Sequence, residues 1–187
     1  MQSPIQFLLT TLFDLYAMVV LLRFFLQLFR ADFYNPLSQF VVKVTNPLLV
    51  PMRKVIPGIG GVDISSLILA YLVVLTKFFL YNAMAGLYFG LGMIIVFGLA
   101  DLLNQIINLI FWLVLIRVIM SWVSPGLNNP FMMVIYQITE PIMAPVRKIM
   151  PPMGGLDLSP IVLIIGLQFL MMAISSWIFA PLMRMFA

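Results

Sequence analysis

Apolar residues dominate four stretches of the chain, at about 5–29, 64–84, 99–123 and 160–183. Each is long enough to cross about 30 Å of hydrocarbon, which takes about 20 helical residues. Polar residues and prolines gather between the first and second stretches, and again between the third and fourth. The connector 85–98 is different, being apolar and uncharged with glycine at 86, 90, 92 and 98. The pattern predicts an all-α integral membrane protein with four transmembrane helices and two substantial loops on one side.

The two halves repeat one another. Arg53 recurs as Arg147, an offset of 94 positions, and the same offset aligns much of the chain without a gap. It pairs Arg23 with Arg117, Asn35-Pro36 with Asn129-Pro130, Thr45 with Thr139, Pro47 with Pro141 and Pro51 with Pro145. Residues 52–66 (MRKVIPGIGGVDISS) and 146–160 (VRKIMPPMGGLDLSP) agree at seven of fifteen positions, and six more are aliphatic exchanges. The chain therefore divides into units 1–94 and 95–187, each built as span, loop, span. Two spans per unit make both copies enter the membrane in the same direction, a parallel repeat.

Each loop opens with Asn-Pro, a strong N-cap followed by a residue suited to the first helical position. Apolar residues then recur at Leu37, Phe40, Val41 and Val44, and at Phe131, Val134, Ile135 and Ile138. This spacing predicts a short amphipathic helix in each loop, lying in the membrane interface or packed on the bundle. Pro47 and Pro141 are expected to end these helices. The following Gly60-Gly61 and Gly154-Gly155 suit a sharp turn with positive φ. Ser65 and Ser159 are expected to N-cap the next spans, with Asp63 and Asp157 placed where a helix N-terminus favours negative charge. The pairs Arg53-Lys54 and Arg147-Lys148 admit two readings. They orient the chain and touch anionic headgroups, worth about 1 kcal/mol per basic residue, or they dock onto a partner or onto Asp63 and Asp157.

Charge sets the topology. Six of the ten basic residues lie in the two loops, so the positive-inside rule puts 30–63 and 124–159 in the cytoplasm and both termini outside. The opening residues MQSPIQFLL lack the basic n-region of a cleaved signal, so the first span is expected to persist. The chain has no cysteine and no histidine, which excludes disulfides, thiolate and imidazole catalysis, and metal sites built on those ligands. The net charge of +4 suits a membrane surface rather than nucleic acid. Expected partners are anionic lipids and membrane or cytoplasmic proteins, with self-association left open. No cofactor is expected.

Ionisable groups inside spans are costly and are functional candidates. Asp101, Asn104, Gln105 and Asn108 form a polar stripe on the third span, and Phe7, Thr10, Thr11 and Asp14 hold the matching positions on the first. The stripes serve either as a polar path for an ion or water or as interhelical hydrogen bonds, worth roughly 0.6 kcal/mol each. Arg23 and Arg117 are expected to snorkel to the headgroups. Lys77 lies mid-span and needs a partner. Asp14 matches its depth, at about 22 Å from the loop side against about 20 Å for Lys77. The second copy carries Asn108 and Met171 at the two equivalent positions, so both charges are absent together.

The doubled pattern N-P…T-x-P-x-x-x-P-x-R-K-x-x-P-x-x-G-G-x-D-x-S, each copy between two spans, resembles the YggT (YlmG) family of bacterial membrane proteins. The likeness covers nearly the whole chain, with Ser66 standing where the second copy has Pro160. It implies a multi-pass inner-membrane protein in a two-repeat form, without an established catalytic activity or catalytic residues. Such proteins are linked to osmotic tolerance with potassium uptake, to cell division and envelope organisation, and in plastids to nucleoid distribution and cytochrome assembly. The expected role is a non-enzymatic structural or assembly factor presenting two cytoplasmic loops. The alternative is a small ion-conducting or osmotic-response protein.

Overall fold

The computed structural model describes residues 3–58, 60–86, 89–123, 129–150 and 157–186. The described chain is helical: α1 (Pro4–Leu28), α2 (Pro36–Val55), α3 (Ile64–Ala85), α4 (Leu91–Val123), α5 (Pro130–Ile149), α6 (Ser159–Ala173) and α7 (Ala180–Phe186). A π-helical turn, Ile174–Phe179, joins α6 to α7 without a break. Four helical stretches are long and apolar enough to cross a membrane: α1, α3, α4 and Ser159–Leu182. α1 begins with a capping box, in which Ser3 Oγ accepts from the Gln6 N–H and Gln6 Oε1 accepts from the Ser3 N–H.

α4 is longer than its apolar stretch suggested. It starts at Leu91, has 33 residues and absorbs most of the connector 85–98. At about 1.5 Å per residue α4 is about 50 Å long. Gly86 takes the left-handed conformation, φ 64°, that closes α3. The division drawn at 94/95 falls inside α4. Gly98 lets α3 approach closely, since a Cβ there would stand 2.7 Å from Leu75 Cδ2.

α2 and α5 have bounds that differ by the repeat offset of 94 at both ends. Neither stops at its first proline. Pro47 and Pro51 lie inside α2, and Pro141 and Pro145 inside α5. Each proline removes one donor, but all four are exposed, on the face opposite the buried residues, so the loss falls where packing is absent. α2 ends at Val55, just before Pro57. The buried stripe of α2 is turned from the one expected, while α5 buries Val134, Ile135 and Ile138 as expected. Ser38, Val41, Thr45 and Leu49 face inward on α2, whereas Phe40 and Phe131 are exposed. Thr45 and Thr139 tolerate burial because each hydroxyl donates to its own helix, to Val41 O and Ile135 O, both at 2.7 Å.

α3 packs between α1 and α4, and α6 packs on α4 as α3 packs on α1. The symmetry stops there. α3 touches α4, but among the described residues α6 does not touch α1, so Ile161, Ile165, Phe169 and Met172 remain exposed. α2 and α5 lie against each other at one end of the bundle. Asn35 caps α2 through Leu37 N and also donates from Nδ2 to Pro130 O at 2.6 Å, while Gln137 Oε1 accepts from Asp32 N at 2.9 Å.

Asn129→Ala should cost about 1 kcal/mol, because Asn129 only caps α5. Asn35→Ala should cost more, because it also removes the bond from Nδ2 to Pro130 O, a further loss of about 0.5–1.5 kcal/mol. Thermal unfolding of the two variants in detergent checks this. Equal losses would mean that the bond between α2 and α5 adds nothing.

Candidate functional site

Three helices carry one charged cluster. Lys77 on α3 is buried, 7% exposed, and its ammonium donates to Asp14 Oδ1 of α1 at 2.6 Å. The same ammonium also pairs with Asp101 Oδ2 of α4. Gln105, one helical turn beyond Asp101, donates from Nε2 to Asp14 Oδ1 at 3.0 Å and to Asp101 Oδ2 at 2.8 Å. One cation and one amide therefore hold two carboxylates. A cavity of about 360 Å³ opens onto the cluster, lined by Thr10, Asp14, Lys77, Phe78 and Tyr81.

The Asp14–Lys77 pair expected from matched depths is present. The second acid was hidden by the length of α4. If the third span began at 99, Asp101 would sit at its mouth. With α4 starting at Leu91, Asp101 lies ten residues in, as Asp14 lies ten residues into α1. The polar stripes meet only here. Thr10 and Thr11 donate back to α1 carbonyls, and Asn104 makes no side-chain hydrogen bond among the described residues. Asn108 Nδ2 stands 3.9 Å from Met171 Sδ. These two positions are the repeat equivalents of Asp14 and Lys77, so the second copy keeps the contact in neutral form.

A second constellation lies where the loops return to the spans. Arg53 Nη2 pairs with Asp63 Oδ2 and donates to Gln27 Oε1 at 3.0 Å. Asp63 also accepts from the Ser66 hydroxyl and N–H, and so caps α3. In the second copy Arg117 donates from Nη2 to Glu140 Oε2 at 2.5 Å and from Nη1 to Thr139 Oγ1 at 2.9 Å. Glu140 Oε1 accepts from Arg147 Nη1 at 2.7 Å, and Arg147 Nε reaches Asp157 Oδ2 at 3.1 Å. The arginine of each basic pair is thus engaged with the loop aspartate, while Lys54 and Lys148 are exposed. Burial opposes ionisation of Asp63, yet hydrogen bonds from Arg53 and Ser66 and the Arg53 charge hold it below the usual carboxylate range. Burial also opposes ionisation of Glu140 and Asp157. The arginines, and Ser159 at Asp157, likewise win.

Two expectations change here. Ser65 and Ser159 do not cap. α3 starts one residue earlier, at Ile64, so Ser65 falls in the first turn and its hydroxyl donates to Ile56 O at 2.7 Å. Ser159 is the first residue of α6, Leu158 stands at the cap position without a side-chain bond, and the Ser159 N–H donates to Asp157 Oδ1 at 2.9 Å. Arg23 and Arg117 do not snorkel, because α2 and α5 fold across the end of the bundle and draw them inward. Gly60 and Gly61 hold φ 61° and 86°, as the turn requires; Gly154 and Gly155 lie outside the described residues. Glu140 was missed in the sequence. Its signal was a lone acid seven residues before Arg147, two turns away on the same helix face.

The geometry defines a two-repeat helical protein of the membrane, with a charged cluster between spans and an ion-paired junction in each loop. A model of the CCB3/YggT family matches residues 2–84 and 96–178, two stretches separated by the same offset of 94. The chain belongs to this family and is a multi-pass membrane protein. It is 48% identical over 170 residues to "Uncharacterized protein in proC 3'region" of Vibrio alginolyticus, covering 89% of this chain and 91% of that protein. It is 44% identical to "Uncharacterized protein PA0392" of Pseudomonas aeruginosa, covering 90% of this chain and 86% of that one. "Uncharacterized protein YggT" of Escherichia coli strain K12 is 43% identical, with 92% and 90% covered. No solved structure matches.

Removing one partner from a buried ion pair costs about 3–5 kcal/mol. Lys77→Met should cause a loss of that order, by stranding two carboxylates. Asp14→Asn should cost less, because Asp101 still pairs the ammonium. Combining Lys77→Met with Asp14→Asn and Asp101→Asn should recover much of the stability. Unfolding in detergent measures all three, and additive damage in the triple variant would sink the account.

Proposed function

We propose that the protein is a non-enzymatic structural or assembly factor of the inner membrane. It presents α2 and α5 as a paired platform on the cytoplasmic face, for anionic lipids and for membrane or cytoplasmic proteins. One observation carries this reading: the two amphipathic helices are packed against each other, linked by Asn35 to Pro130 and by Asp32 to Gln137. Their unpacked surface mixes cations with apolar side chains. Lys43, Lys54 and Lys148 are exposed beside Phe40, Leu48, Val50, Val55 and Ile149. Such a surface suits the headgroup layer, where each basic residue contributes about 1 kcal/mol with anionic lipid. The basic loops also support a cytoplasmic platform by the positive-inside rule. Organisation of the cell envelope is the process in which such a platform would serve.

A second reading, ion conduction, is favoured by the cavity at Asp14 and by two carboxylates sharing one ammonium. The readings separate in one series of experiments. Cysteines at Lys54 and Lys148 should escape an impermeant thiol reagent outside intact cells and should crosslink to lipid or to neighbouring proteins from inside. Full-length protein in liposomes should pass no alkali cation. Outside labelling would reverse the platform, and cation flux abolished by Lys77→Met would favour conduction.

A further inference from the structure

Arg23 lacks the acid that its repeat equivalent possesses. In the second copy Glu140 bridges Arg117 and Arg147, with Tyr136 lying 4.2 Å from the Arg117 guanidinium. The first copy keeps both arginines, Arg23 and Arg53, and an aromatic ring, Phe33, 5.4 Å from Arg23. At the position of Glu140 it carries the neutral Asn46. Arg53 is committed to Asp63 and Gln27. Arg23 is 6% exposed, and its Nε and Nη1 are buried without a hydrogen-bond partner among the described residues. Two guanidinium groups and one carboxylate leave an excess positive charge, whereas the second copy balances two arginines with two acids. A buried cation without acceptors is expensive, and a site built this way is completed by an anion.

The missing group is an oxyanion, because the second copy shows what fits: two oxygens, one for each arginine. We propose that the first repeat binds the phosphate of an anionic membrane phospholipid between Arg23 and Arg53, in the place that Glu140 fills in the second. Two further features favour a lipid. Arg23 lies five residues from the end of α1, the headgroup level of a span. An apolar groove of about 370 Å³ runs between α1 and α3, lined by Leu12, Tyr16, Leu69 and Val73, and reaches Leu48 of α2. Tyr16 and Arg23 are seven residues apart, on one face of α1, so the groove and the guanidinium share a stripe. An acyl chain in the groove puts its phosphate at the arginine end. Phe33, 37% exposed, covers the guanidinium and is the side chain that the phosphate displaces.

This inference rests on α2 lying in the headgroup layer, but its test does not depend on the platform. Full-length delipidated protein is titrated with phosphatidylglycerol, with zwitterionic phosphatidylcholine, or with inorganic phosphate. Thermal unfolding and lipid retention in native mass spectrometry are the readouts. Phosphatidylglycerol should stabilise the protein and remain bound. Arg23→Gln should weaken that binding about tenfold, the loss of one charge-assisted contact. Asn46→Glu should do the reverse of a lesion: it supplies the second copy's acid, raises thermal stability without lipid and abolishes the response to phosphatidylglycerol. Stabilisation by inorganic phosphate equal to that by the lipid overturns the lipid assignment. A lipid response that survives both Arg23→Gln and Asn46→Glu overturns the site. Neutralising Lys43, Lys54 and Lys148 together should leave the Arg23-dependent response in place, which separates failure of the platform from failure of this site.

Discussion

The Lys77 ammonium joins three spans that share little else that is polar. It is buried on α3 and meets one carboxylate from α1 and one from α4. In a membrane the hydrophobic effect does not drive helices together once they are inserted, so packing and polar contacts fix their relations. A charge at that depth penalises any arrangement that separates it from its acids. The cluster therefore specifies which helices are neighbours and at what height. It also explains why α3 sits between α1 and α4, whereas α6, with Met171 in place of the lysine, touches α4 but neither α1 nor α3 among the described residues.

The duplication shows how two copies of one unit diverged in their polar chemistry while keeping their backbone. α2 and α5 coincide at the repeat offset, and Asn108 still meets Met171 where Asp14 meets Lys77. Charge has moved between the copies. The first copy has the ion pair between its spans and, among the described residues, an unpartnered arginine at its loop junction. The second has a neutral contact between its spans and a balanced chain of four charges at its junction, from Arg117 through Glu140 and Arg147 to Asp157. Divergence of this kind frees one copy to hold a ligand while the other serves as a permanent brace.

Much of this was legible in the sequence. Spans follow from hydropathy, the repeat from a single offset, and the Asp14–Lys77 pair from depth, because a helix converts residue counts into distance. The family likeness and the two-repeat form rested on the same residues. What escaped notice did so for local reasons. Asp101 looked shallow because the glycines and apolar residues of 91–98 gave no sign that α4 would extend through them. Pro47 and Pro141 looked like stops, but a proline on an exposed helix face removes only a donor that packing does not require. Asp63 outcompeted Ser65 as the cap of α3 because a carboxylate can take the arginine and the helix N-terminus together. Glu140 had no counterpart in the first copy, and a search guided by the repeat passes over a residue that only one copy owns.

Nitrogen-to-carbon dipolar couplings between Lys77 Nζ and the aspartate carboxyl carbons, recorded by solid-state magnetic resonance on the full chain in bilayers, test the central claim most directly. Lys77 should couple to two carboxyl carbons, one lost in Asp14→Asn and the other in Asp101→Asn. Coupling to neither, in protein that is correctly inserted, would contradict the arrangement of the three spans.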